Sequence, residues 1–304
     1  MKRAQENPFE LSIMILTRNR KNEVLRAIQS CVECCLPEKT EFVIVDNASE
    51  DGTQQDVERF LLSHSCTWQY HYLPENIGCA AGRNVGLRIS RGRFVFFLDD
   101  DAYIEGPKES FFQDMIRVMR QHDDIFCITT SLFDTKLNHA RPFAPSRFHH
   151  SGEFYRVLMF HGGSSMIDKE KWLDPNRLFF DYQFRGMAEL YPTLKGYFHG
   201  RYVVEMPSVR VIHDPSPNAF FSQRMQILYH YSGAVHVKLT FYPGITHPIV
   251  YGMFVLRIWK YLGRKGVSEA FEKLSNINKN LAPETVSLKQ FLRLLSEFGL
   301  VNVF

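Results

Sequence analysis

Phe94-Val95-Phe96-Phe97-Leu98 runs directly into Asp99-Asp100-Asp101. The first five residues are strand material, aromatic and branched. Three adjacent carboxylates then repel one another unless a cation offsets them. A divalent metal carrying phosphate ligands is the usual solution, because hard cations take oxygen donors. The plainer reading is a solvated acidic turn after a strand. Position decides between the two: carboxylates at the carboxyl end of a central strand lie where open α/β sheets bind ligands.

The residues before that strand read as such a sheet. Leu11 to Leu16 is apolar and stops at Thr17-Arg18-Asn19-Arg20, and Val24, Leu25, Ile28 and Val32 follow at helical spacing. Glu41 to Val45 is a second strand running into Asp46-Asn47. Asp51-Gly52-Thr53 then opens a helix carrying Val57, Phe60 and Leu61. Trp68 to Leu73 is a third strand, broken by Pro74-Glu75-Asn76, and residues 80–90 form another helix before the strand that ends in the three aspartates. Alternating strands and amphipathic helices predict parallel pairing with right-handed crossovers. Thr17, Asp46, Asn76 and Asp99 then share one sheet edge.

Val45-Asp46-Asn47-Ala48-Ser49-Glu50-Asp51-Gly52-Thr53 resembles the second-strand motif of the family 2 glycosyltransferases. Asn76-Ile77-Gly78-Cys79-Ala80-Ala81-Gly82-Arg83-Asn84-Val85-Gly86 is similar to the glycine-rich segment that follows in that family, above all in its rhamnosyltransferase-like branch. The resemblance covers roughly residues 11–214. It implies the GT-A fold, a Rossmann-like α/β architecture with a mixed, mostly parallel sheet flanked by helices. By that resemblance Asp99 and Asp101 stand at the metal-binding Asp-x-Asp, with Asp99 also near the ribose and Asp100 in the variable middle position. Thr17 and Arg18 would touch the nucleoside, and Asn76, Gly78 and Arg83 would line the donor site. The implied cofactor is Mn2+ or Mg2+.

Several of these residues have a physical reading of their own. An ionised Asp46 is acceptor-only and suits the imide N–H of uracil or thymine; the alternative is an Asp that caps its loop or the next helix. Gly78, Gly82 and Gly86 are four apart, the wrong spacing for G-x-G-x-x-G, and make a smooth helix face that lets backbone approach the sheet or a ligand. Arg83 could hold a diphosphate or an aspartate in a bidentate pair, or lie on the surface. Nothing in the chain reads as a P-loop.

The second half is expected to supply acceptor site and base. His161-Gly162-Gly163-Ser164-Ser165-Met166-Ile167-Asp168-Lys169-Glu170 resembles the small-residue turn and strand of the family's acceptor pocket. Where relatives show a glycine and then a pair of acids, this chain has Gly186-Met187-Ala188, and Glu189 is the next acid. Glu189 is the expected general base, with Asp181 in reserve; the alternative for Glu189 is an exposed helix residue. Val209-Arg210-Val211-Ile212-His213 is similar to the family's terminal His motif, which implies His213 as a metal or phosphate ligand; the alternative is a structural or exposed His, and Asp214 departs from the residue usual there.

A chain of 304 residues allows a core and two domains, expected at 1–219 for the catalytic domain and 220–304 for a mostly helical region. A net charge of +3 (36 basic less 33 acidic residues) is too balanced for a dedicated nucleic-acid binder. Cys31-x-x-Cys34-Cys35 invites a zinc reading, but no second pair follows, and packing on the first helix is the better account. Thiol-rich composition without a signal peptide reads as cytoplasmic. No apolar run reaches the ~18 residues of a membrane span. The apolar, then basic and aromatic stretch from Ile249 to Lys265 either packs on the catalytic domain or lies on a membrane surface, at the inner face. Leu288, Phe291, Leu292, Leu295 and Phe298 mark a last amphipathic helix.

The expected activity is metal-dependent, inverting transfer of a hexose or deoxyhexose from a UDP- or dTDP-sugar to a hydroxyl of a glycan or lipid-linked acceptor, as in polysaccharide assembly. A sugar nucleotidyltransferase is a second reading, weakened by the absence of glycines in Thr17-Arg18-Asn19-Arg20. A non-catalytic carbohydrate-binding protein of the same fold is a third, kept open by Met187-Ala188.

Overall fold

The computed structural model describes residues 8–106, 108–173, 187–215, 223–276 and 284–304. In its first hundred residues strands and helices alternate as the periodicity predicts: β1 (Phe9–Thr17), α1 (Lys21–Val32), β2 (Thr40–Asp46), α2 (Thr53–Ser63), β3 (Trp68–Tyr72), α3 (Cys79–Ile89) and β4 (Gly92–Asp99). The four strands pair in parallel in the order β3-β2-β1-β4. Their register aligns the polar ends: Thr17 is opposite Asp46, and Leu16 is opposite Asp99.

The chain then continues through β5 (Ala102–Glu105), α4 (Phe111–Gln121), β6 (Ile125–Asp134), β7 (His139–Ala140), β8 (Pro145–His150), β9 (Tyr155–Val157), β10 (Ser164–Asp168), α5 (Leu190–Phe198) and β11 (Tyr202–His213). Here the sheet becomes mixed. β10 lies antiparallel between β4 and β6, while β11 runs parallel to β6 and antiparallel to β5 and β9. Parallel order is therefore a property of the nucleotide-binding half. The later strands are joined by hairpin-length connections or long returns, which permit antiparallel pairing.

Strand alternation divides the core. Leu11, Ile13 and Ile15 face α1, α2 and α4, where Phe96 meets Phe111 and Phe112 edge-on at 5.6 and 5.3 Å. Met14, Val43, Val45 and Phe97 face the other way. On that side the backbone of α3 rests on the sheet, since a side chain at Gly82 or Gly86 would run into Leu16 or Met14. Cys31 and Cys34 are buried core residues, and burial pushes the Cys34 thiol up to about 12. All six cysteines are free, and the packing account of Cys31-x-x-Cys34-Cys35 fits their place.

Beyond β11 the described residues are helical: α6 (Gln223–Phe241), a 3-10 turn (Gly244–Thr246), α7 (His247–Asn276), α8 (Leu288–Phe298) and α9 (Leu300–Val303). Pro248 sits in the first turn of α7, where its missing N–H costs nothing. α8 opens with a capping box, Ser287 and Gln290 each accepting the other's backbone N–H. These helices share one apolar cluster with α5, through Tyr191, Leu194, Phe241, Phe254 and Phe291. Buried Glu297 of α8 accepts from Ser146 Oγ and Tyr197 Oη, both at 2.8 Å, and ties the helix to β8 and α5. The expected domain boundary at 219 to 220 lies outside the described residues. Among the described residues no helix is long and apolar enough to cross a membrane.

Candidate active site

The carboxyl ends of β1, β2 and β4 open into a cleft of about 550 Å³. Thr17, Arg18, Asn76, Gly78, Arg83, Asp99, Asp100, Asp101, Glu189 and His213, ten residues singled out from sequence, all line it. Parallel strands ending on one edge explain the first eight. Glu189 arrives from the N-terminal end of α5 and His213 from the end of β11. A second cleft of about 430 Å³, with Arg141, Phe143, His161, Gly162, Gly163 and His230 on its walls, shares Arg83, Asp99, Glu189 and His213 with the first. Those four side chains stand where the two clefts meet.

Arginines hold the three aspartates together. Arg20 Nη1 donates to Asp100 Oδ1 at 2.8 Å and to Asp101 Oδ2 at 2.9 Å, and Arg83 pairs with Asp99. Thr17 Oγ1 donates to the other oxygen of Asp100 at 3.0 Å. Burial pushes the Asp100 carboxyl up to about 7 against the pull of Arg20, with its two acidic neighbours adding to the rise. Arg83 takes the pairing with an aspartate that its sequence position allowed, and Arg20 is a second guanidinium that supplies positive charge here.

Asp99, Asp101 and His213 can each aim one ligand atom within 4.8 Å of the others. Two carboxylates and an imidazole form an oxygen-rich set suited to Mn2+, and the chemistry of the donors fits such an ion. Asp134 Oδ2 lies 3.1 Å from His213 Nδ1, which leaves Nε2 turned towards Asp101 at 3.5 Å. Burial alone would lower the imidazole's affinity for a proton. Hydrogen bonds to Asp101 and Asp134 and the charges of Asp101 and Asp99 outweigh it and raise His213 to about 9.

Glu189 is partly buried beside Arg83, its Oε1 3.5 Å from Nη1. Burial raises its carboxyl above the ordinary range, and the Arg83 charge pulls it back. The paired glycines before β10 make room for these acids. A Cβ on Gly162 would strike the Glu189 carboxylate and Arg83, and one on Gly163 would strike the Asp99 carboxylate. The Asp99 backbone is held beside this glycine, its N–H bonded to the Gly163 carbonyl at 2.9 Å.

One sequence expectation meets a different outcome. Asp46 is not on the cleft wall. It is buried, accepts from the Ser49 N–H at 2.8 Å and from the Tyr70 hydroxyl, and so organises the loop after β2, the capping alternative for this residue. Its neighbour Asn47 lines the cleft instead. Asn47 Nδ2 donates to Asn76 Oδ1 at 2.8 Å and its Oδ1 accepts from the Ile77 N–H at 2.9 Å, a clasp that fixes the approach to α3. Asp181 lies outside the described residues. Arg20, Asn47 and Asp134 are the site residues that sequence reasoning missed. For Arg20 and Asn47 the available signal was their place just beyond strands whose ends share one edge.

The mixed sheet, with a parallel half and an acid cluster at the end of a central strand, is a GT-A-like α/β architecture. The family model for glycosyl transferase family 2 matches residues 12–200, and the chain belongs to that family of glycosyltransferases. It is 31% identical over 123 residues to the poly(ribitol-phosphate) beta-N-acetylglucosaminyltransferase TarS of Staphylococcus aureus, covering 40% of this chain and 21% of that one. It is 29% identical over 93 residues to the UDP-Glc:alpha-D-GlcNAc-diphosphoundecaprenol beta-1,3-glucosyltransferase WfaP of Escherichia coli, covering 31% and 38%. The match spans about half or less of the curated relatives' length. Among solved structures, GalNAc-T7 with UDP, GalNAc and Mn2+ superposes with a TM-score of 0.65 at 15% identity, over 95% of this chain and 57% of that one. Staphylococcus aureus TarS 1-349 with UDP-GlcNAc gives 0.61 at 17%, over 88% and 79%. The mannosyltransferase PcManGT of Pyrobaculum calidifontis with GDP-Man and Mn2+ gives 0.59 at 16%, over 96% and 81%. At these identities the structures show the fold.

Proposed function

We propose that this glycosyltransferase uses a UDP-sugar and a divalent cation, and that it transfers the sugar with inversion to a hydroxyl of a glycan or lipid-linked glycan. The observation that carries this reading is the meeting of two clefts at Arg83, Asp99, Glu189 and His213. A donor in the first cleft and an acceptor in the second would present their reacting atoms at that junction. Relatives named for UDP-sugars or crystallised with UDP support the donor class.

Asp99, Asp101 and His213 would hold the cation, whose chemistry there is to neutralise a departing diphosphate. Arg18 and Arg20, on the same wall, add fixed positive charge for the phosphates. Asn47 and Asn76 take over the base-reading role first expected of Asp46, because they face the cleft and Asp46 does not. Glu189 takes the proton of the acceptor hydroxyl as its oxygen attacks the anomeric carbon. The bond from that carbon to the diphosphate breaks on the opposite face, which gives inversion. Arg83 positions Glu189 and Asp99 together and keeps the base ionised.

The test is a screen of UDP-, dTDP-, GDP- and CDP-sugars, with and without Mn2+, reading release of nucleoside diphosphate. Mn2+-dependent release of UDP, faster with added glycan acceptor, is the expected result. Release of pyrophosphate from a nucleoside triphosphate and a sugar phosphate would move the reading to a nucleotidyltransferase. Tight binding of sugars with no turnover of any donor would move it to a binding protein.

A further inference from the structure

The helix α7 has two apolar faces, and only one of them is packed. Val250, Phe254 and Ile258, four apart, are buried in the cluster shared with α5 and α6. Ile249, Leu256 and Trp259 lie on the other side of the helix and are 50%, 60% and 62% exposed, with Ile245 of the preceding turn at 76%. An ordinary surface helix would carry charged residues of both signs there. This one carries large apolar side chains and exposed Lys260, with exposed Arg264 and Lys265 just past a break in the helix at Gly263, whose φ is 67°.

The charge pattern says what kind of surface covers this face. Between Asp214 and Glu269 the sequence contains no Asp or Glu, and Lys260, Arg264 and Lys265 are the exposed cations beside this face; Arg224 pairs with Glu269, and Lys238 and Arg257 donate to the Phe304 carbonyl. A second copy of the chain would bring the same cations against themselves in a symmetric contact. An anionic bilayer supplies the opposite charge and a headgroup layer suited to an indole ring, while leucine and isoleucine side chains enter the acyl boundary. We propose that the exposed surface formed by Ile245 of the 3-10 turn and the part of α7 before Gly263, with Arg264 and Lys265 just beyond it, docks this glycosyltransferase on an anionic lipid surface, lying in the interface and not crossing it. The inference rests on this face alone and does not depend on the donor or the acceptor.

Co-sedimentation of the full chain with vesicles tests it. Vesicles of mixed phosphatidylglycerol and phosphatidylcholine should bind the protein, pure phosphatidylcholine should not, and high salt should release it. The triple variant Lys260→Gln, Arg264→Gln, Lys265→Gln should bind roughly a hundredfold more weakly, from the usual contribution of each cation near an anionic surface. Leu256→Glu with Trp259→Glu should abolish binding. Equal melting curves for the variants and the parent keep the comparison free of folding defects. A blue shift of tryptophan emission on adding anionic vesicles, absent in Trp259→Tyr, should report insertion in the otherwise unaltered face. Equal binding to neutral and anionic vesicles, or none to either, would overturn the proposal. So would a dimer in sedimentation velocity that Trp259→Glu converts to monomer, since the face would then be covered by a second copy.

Discussion

Glu189→Gln separates proton transfer from every other task at the junction of the clefts. The substitution keeps shape and volume beside Arg83 and leaves Asp99, Asp101 and His213 untouched. A positioned general base contributes about 10²–10⁴ in rate. That corresponds to about 2.7–5.4 kcal/mol of barrier. Turnover of the preferred donor should fall by that factor. The affinity for the nucleoside diphosphate should hold, because Glu189 meets Arg83 only at 3.5 Å while Arg83 keeps its partner Asp99. The pH profile gives an independent reading. Burial holds the Glu189 carboxyl above its ordinary range, and a base must be ionised. Activity should therefore rise with pH through that raised value and level off above it. The Gln variant should lack this acid limb. Quenched-flow measurement of a single turnover at saturating donor isolates the chemical step. Near-normal turnover, or an acid limb that persists in the variant, would refute the assignment and move the role to Asp181 or another acid.

Asp46→Ala should act on stability more than on donor affinity, because the Ser49 N–H and the Tyr70 hydroxyl would lose their acceptor in a buried place; a loss of about 1–3 kcal/mol in denaturant unfolding is expected. Gly163→Ala should drive the Asp99 carboxylate from its position and weaken Mn2+-dependent UDP binding by roughly ten- to a hundredfold, the usual effect of disturbing a ligand's support, while the melting curve changes little. Phe96→Ala, at the edge-to-face trio with Phe111 and Phe112, should cost about 3–5 kcal/mol in the same unfolding assay.

The parallel half of the fold was legible because each element carries a strong local signal. β1, α1, β2, α2, β3, α3 and β4 fall within about two residues of their expected places, since alternation and 3.6-residue spacing are written into contiguous stretches. The change to antiparallel pairing at β10 was not legible, because it depends on which distant strand fills the gap beside β4. The same distinction runs through the site. Asp99 to Asp101 stand out as a sharp switch from apolar to acidic. Arg20 takes its meaning only from contact with residues 80 and 81 positions away. Asp46 and Asn47 are adjacent and both polar, and which one faces the cleft is set by Tyr70 on β3 taking the aspartate. Glu189 could be named as an acid near the right place, but its position beside Arg83 depends on Gly162, 27 residues earlier, leaving space for it.

If Asp99, Asp101 and His213 hold a divalent cation as proposed, donor binding must depend on that cation. Calorimetric titration of UDP into the protein, with Mn2+ and then with a chelator, tests it most directly, with Asp101→Ala measured in parallel. UDP should bind tightly with Mn2+ and at least roughly tenfold more weakly with chelator, and the Asp101→Ala protein should bind it weakly in both conditions. Equal UDP affinity with and without the metal in the unsubstituted protein would contradict it.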